Sequence, residues 1–104
     1  MKTYDRGDTP FFTCDHETYD FATDTWSFAD PDTGYPTITI IDSKGVTKIP
    51  VDPEVPTTMN RDAKGKFQYL YTIAANAEVG DWYGYIDVKN GGYPDRKHFA
   101  FTVK

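Results

Sequence analysis

Two stretches decide the fold: Lys66-Phe67-Gln68-Tyr69-Leu70-Tyr71-Thr72-Ile73 and Trp82-Tyr83-Gly84-Tyr85-Ile86-Asp87-Val88-Lys89. In the first, Phe67, Tyr69, Tyr71 and Ile73 fall on one side and Gln68, Leu70 and Thr72 on the other. In the second, Trp82, Gly84, Ile86 and Val88 share a side opposite Tyr83, Tyr85 and Asp87. A period of two is that of a strand with one face buried, whereas a helix would scatter these residues around its axis. Asn90-Gly91-Gly92 follows with residues that tolerate positive φ, and Lys97 to Val103 then aligns Phe99, Phe101 and Val103, so a hairpin is expected.

Working outward, residues 10 to 16 place Pro10, Phe12 and Cys14 opposite Phe11, Thr13 and Asp15, and residues 36 to 42 place Ile38 and Ile40 opposite Thr37, Thr39 and Ile41. Asp42-Ser43-Lys44-Gly45 reads as a turn into a short return strand at 46 to 50. With an edge segment at Tyr4 the count is seven strands, and only Asn76 to Val79 has room for a helical turn. Seven short strands separated by turn residues predict an all-β chain, a single immunoglobulin-like Greek-key β-sandwich domain over residues 1 to 104. Trp82, at the corner after Gly80-Asp81, is expected to be the largest contributor to its core, with Gly84 facing Cys14.

Sixteen acids against eleven bases give a net charge of −5, concentrated as −6 in residues 1 to 40 against +1 in the rest. Phosphate backbones call for clustered Lys and Arg, so nucleic acid is not an expected partner. The lone Cys14 forms no internal disulfide, and no apolar run suits a signal-peptide core or a membrane helix, so the chain as given carries no export address and membrane insertion is not expected.

The same residue types argue against chemistry. Cys14-Asp15-His16-Glu17 holds four ligand types in a row, but in a strand they alternate between faces and cannot converge on zinc. Asp30-Pro31-Asp32-Thr33-Gly34 resembles the start of a calcium loop, making Asp30 and Asp32 the metal candidates, yet no bidentate acid follows at the required spacing and a solvated turn is the favoured reading. Two serines, Ser27 and Ser43, one inward cysteine and two histidines on different strands offer no nucleophile with its base. A non-catalytic chain without a cofactor is expected.

Contact surfaces are the remaining possibility. The nineteen residues Glu17 to Tyr35 form an unusually long connection carrying Tyr19, Phe21, Trp26, Phe28 and Tyr35. They are expected beside Tyr93, Asp95 and Arg96, as a lid or extra strand over the core or as a contact loop. Tyr83, Tyr85, Ile41 and Ala100 would share the outer face of a sheet, and such a face suits a protein partner, ordinary cross-strand packing or a carbohydrate. The candidate binding residues are therefore Trp26, Phe28, Tyr35, Tyr83, Tyr85 and Tyr93.

The chain carries Gly7-Asp8, Asp30-Pro31, Thr37-Ile38-Thr39-Ile40, Asp42-Ser43-Lys44-Gly45, Met59-Asn60-Arg61, Gly65-Lys66-Phe67-Gln68-Tyr69, Gly80-Asp81-Trp82-Tyr83 and the closing Phe99-Ala100-Phe101-Thr102-Val103. In this order these motifs are similar to those of the small immunoglobulin-like proteins of tailed phages and prophages. The resemblance spans nearly the whole chain and rests on turns and core aromatics, which bacterial and archaeal surface modules share. It implies an accessory virion protein of head, neck or tail, cytoplasmic before assembly. The alternative it implies is a cell-surface repeat serving as spacer, adhesin or carbohydrate-binding module.

Overall fold

The alternation read in residues 66 to 73 and 82 to 89 reappears as burial. In a computed structural model that describes residues 2 to 104, Trp82, Gly84, Ile86 and Val88 are buried while Tyr83 is half exposed. The described residues are all-β, with no helix. Eleven strands run in the order β1 (Lys2–Tyr4), β2 (Phe11–Asp15), β3 (Glu17–Asp20), β4 (Thr25–Phe28), β5 (Thr37–Ile41), β6 (Thr47–Ile49), β7 (Thr57–Thr58), β8 (Asn60–Ala63), β9 (Lys66–Leu70), β10 (Gly80–Asn90) and β11 (Tyr93–Val103).

One sheet has the order β1-β11-β10-β5-β6, with β7 also on β5, and a second has the order β2-β9-β8. β1 runs parallel to β11, and the other pairs are antiparallel. The inner faces of the two sheets supply one β-sandwich-like core. Ile38, Ile40, Trp82, Ile86, Val88, Phe101 and Val103 come from the first sheet, and Cys14 and Phe67 from the second. Phe12 bridges the layers, with its ring centroid 4.7 Å from that of Phe99 and 5.8 Å from that of Phe101. Trp82 is fully buried, and its indole N–H donates to the carbonyl of Glu78 at 2.9 Å, so the one polar atom of the ring is satisfied.

Gly91 and Gly92, at φ +60° and +85°, make the two-residue turn joining β10 to β11, the geometry that matches the twist of its strands. The turn after β5 is held by Asp42, whose buried carboxylate accepts from the amides of Lys44 and Val46, both at 2.9 Å, with Lys48 Nζ at 3.7 Å.

Four expectations change. The described residues form eleven strands rather than seven, because residues 17 to 28 form their own hairpin and β7 and β8 pair without an apolar alternation that would reveal them. The strand expected over 66 to 73 ends at Leu70. Tyr71 and Ile73 still donate to the carbonyls of Pro10 and Asp8, but Pro10 has no N–H to return and the ladder breaks. Residues 76 to 79 form no helical turn. Gly84 is covered by Phe99, its direct partner across β11, whose ring lies where a Cβ would stand.

Candidate functional site

Residues 17 to 28 are a two-stranded arm. β3 and β4 pair only with each other, in the register Glu17↔Phe28, Thr18↔Ser27, Tyr19↔Trp26 and Asp20↔Thr25. Alternation puts Glu17, Tyr19, Trp26 and Phe28 on one face and Thr18, Ser27, Asp20 and Thr25 on the other, so the strand aromatics gather on a single face of the ribbon. Phe21 at its tip packs edge-on against Tyr19 at 4.7 Å, and Tyr19 lies 5.3 Å from Trp26. Phe21 is 89% and Trp26 66% exposed. The aromatics therefore do not close over the core, as a lid would. The shape agrees: the radius of gyration, 15.2 Å, exceeds the roughly 13 Å of a compact chain this long, and the extents of 52 × 28 × 19 Å are those of an elongated body.

The base of the arm is pinned. His16 Nδ1 donates to the Ala29 carbonyl at 2.7 Å, the Ala29 amide returns to the His16 carbonyl at 3.1 Å, and the His16 amide reaches Gly65 O at 2.7 Å. Gly65, at φ +71°, has no room for a Cβ, which would stand 2.5 Å from His16 O and 2.9 Å from Ala29 N. Lys66 Nζ sits 4.8 Å above the Phe28 ring, which anchors the inner end of the aromatic face.

Asp30 and Asp32 are structural anchors. Asp30 accepts from the Gly65 amide at 2.9 Å and from Arg61 Nε at 3.2 Å, while Asp32 accepts from the amides of Gly91 and Gly92, both at 2.9 Å. Among the described residues no three His, Cys, Asp or Glu side chains form a group able to hold a metal ion. The sequence pattern of a calcium loop is filled here by backbone amides from far along the chain.

Those bonds hold both carboxyls below their ordinary value of 3.8, Asp30 chiefly through the Gly65 amide and then Arg61, Asp32 through Gly92 and Gly91. A carboxyl that binds its proton more weakly folded than unfolded stabilises the fold above its unfolded value and loses that contribution as pH falls through its folded value. The anchors are thus expected to be intact at neutral pH and to release below about pH 4. Amide chemical shifts of Gly65, Gly91 and Gly92 followed into acid would show this. Asp32→Asn should abolish the acid transition at Gly91 and Gly92 while leaving the one at Gly65.

The other candidates separate into groups. Tyr35 and Tyr85 line one groove of about 1030 Å³ on the outer face of β5, β10 and β11. Tyr83 is 49% exposed on that outer face but outside the groove. Tyr93, 81% exposed, joins Asp15, His16, Glu17 and Asp95 around a cleft of about 170 Å³ at the base of the arm. The long connection and the β10–β11 hairpin do therefore meet at one end, although Arg96 turns to the groove. Sequence reasoning missed Asp87, Arg61 and the prolines of residues 50 to 56, because none of them stands out by spacing.

Cys14 is buried, and burial pushes its thiol up, so it is an inert core residue. No family model, no curated protein and no solved structure matches this chain.

Proposed function

We propose that this chain is a non-catalytic protein-interaction module that engages its partner through the β3–β4 arm, carried on an immunoglobulin-like Greek-key sandwich. Strand order supports the fold reading: β5, β6, β10 and β11 stand where strands C, C′, F and G would, β1 lies parallel on β11 as an A-type edge strand, and β2-β9-β8 reproduces B-E-D. The similarity of the turn and aromatic motifs to phage immunoglobulin-like proteins favours an accessory virion role.

The observation that carries the functional reading is the exposed aromatic face of the arm. A two-stranded ribbon is marginal in water by itself, and Tyr19, Phe21 and Trp26 present apolar surface that the chain's own core does not use. Aromatic anchors of this kind dominate binding energy when a partner desolvates them. No Lys or Arg occurs between Arg6 and Lys44, so the arm, with Glu17, Asp20 and Asp24, meets its partner as an acidic element. That favours a partner surface with an apolar cleft and a basic rim.

The double variant Phe21→Ser, Trp26→Ser tests this. Its melting temperature is expected to stay within about 3 °C of the parent, because neither side chain belongs to the core. A photo-cross-linking residue at position 23 should label one protein in the cells or particles that contain the parent chain, and the double variant should lose that adduct. Equal labelling by parent and variant would overturn the assignment of the arm as the contact.

A further inference from the structure

The groove on the outer face of the first sheet is independent of the arm. Thr37 and Thr39 of β5 with Tyr85 and Asp87 of β10 form its floor, and Pro50, Pro53 and Pro56 of the β6–β7 connection line one wall. Across from them stand Pro94 and Arg96 of β11. Prolines fix φ, so that wall needs little ordering when a ligand arrives.

Its polar groups are already oriented. Arg96 donates to Asp87 through Nε at 2.6 Å and Nη2 at 3.2 Å, and its guanidinium lies 3.8 Å from the centroid of the Tyr85 ring. The pair uses two of the five guanidinium N–H groups and leaves lone pairs on both Asp87 oxygens, so a donor and an acceptor remain at a fixed place. Each threonine hydroxyl can donate or accept. Tyr35, with Lys89 Nζ 6.0 Å from its centroid, supplies a ring for stacking.

Two features narrow the ligand. The charged groups lining the groove balance, Asp87 and Asp95 against Lys89 and Arg96, which disfavours a ligand with net charge of either sign. β5 and β10 are each paired on both sides, so an extended peptide finds no open backbone edge to extend. What fits is an uncharged molecule with many hydroxyls and apolar faces, longer than a single ring given a volume at the top of the roughly 300 to 1,000 Å³ range of ligand pockets. We infer that this groove binds a short neutral oligosaccharide, stacked on Tyr35 and hydrogen-bonded by the Asp87–Arg96 pair and the threonine hydroxyls.

The test is an NMR titration of the full chain with defined neutral oligomers of glucose, galactose, mannose and N-acetylglucosamine. A proline-rich peptide and an acidic sugar oligomer serve as comparators. At least one neutral oligomer should produce saturable shifts at the amides of Thr39, Tyr85 and Arg96. Arg96→Ala, whose exposed pair lies outside the core, should weaken it about tenfold or more, and Tyr35→Leu should do so independently. The arm variant Phe21→Ser, Trp26→Ser should bind like the parent, which separates this site from the arm contact. The inference is overturned if no neutral oligomer gives saturable shifts, if the shifts map to the arm, if only the peptide or acidic oligomer binds, or if both groove variants, shown folded, bind as the parent does.

Discussion

Trp82→Ala is expected to destabilise the domain by about 4 kcal/mol, the largest effect of any single truncation. The indole is fully buried and lies, by ring centroids, 5.8 Å from Phe101 on β11 and 6.2 Å from Tyr71, just past the end of β9. Phe101, held in the β10–β11 ladder, cannot collapse into the space, so the transfer term and the cavity term add. A domain of this size has a total stability of about 5 to 15 kcal/mol, so the variant should sit close to unfolding at 37 °C. Trp82→Phe retains most of the volume but strands the Glu78 carbonyl that the indole N–H serves, and should cost about 1 to 2 kcal/mol. Urea denaturation followed by far-ultraviolet circular dichroism measures both. A loss under about 1 kcal/mol for the alanine variant would show that the two sheets do not depend on this ring.

Gly84→Ala is expected to cost roughly 3 kcal/mol, although it only adds a methyl group. A Cβ at this position would run into the Thr39 carbonyl on β5 and come within 2.5 Å of Phe99 on β11. The ring lies over the glycine from its own cross-strand position, so the aromatic fills the space that the missing side chain leaves. The methyl group would displace Phe99, and with it the contact to Phe12 that joins the sheets. The backbone clash with Thr39 cannot be relieved by a rotamer change. Truncating the ring should therefore rescue little: Gly84→Ala with Phe99→Leu is expected to stay well below the parent. Full stability in the double variant would place the strain in the ring rather than in the sheet.

Both experiments concern the body that presents the arm and the groove, the two surfaces proposed for binding. Truncation at Trp82 or an added methyl group at Gly84 is expected to cost the body a large share of its stability. Phe21, Trp26 and Arg96 can be replaced without touching the core cluster, which makes their roles separable by mutation.

The chain's own text was sufficient wherever a residue's neighbours lie within its own strand. Alternation placed Trp82, Ile86, Val88, Phe101 and Val103 inward and Tyr83 outward, and Asn90-Gly91-Gly92 announced the hairpin turn, because pleat and turn geometry are local properties of the backbone. It fell short at β8, where Asn60-Arg61-Asp62-Ala63 is exposed throughout and carries no period.

It also fell short where the deciding partner is distant. Whether Phe21 and Trp26 cap the core or project from it depends on what stands nearby, since aromatic residues suit a core and a contact equally. Asp30 and Asp32, read as a solvated turn with a partial likeness to a calcium loop, became anchors because Gly65, Gly91 and Gly92 deliver their amides from 35 and about 60 residues away. The groove exists only because residues 50 to 56 stand beside Tyr85 and Arg96 in space. Strand character is written in the spacing of side chains along the chain, and a surface is assembled from residues that only the closing of the sheets brings side by side.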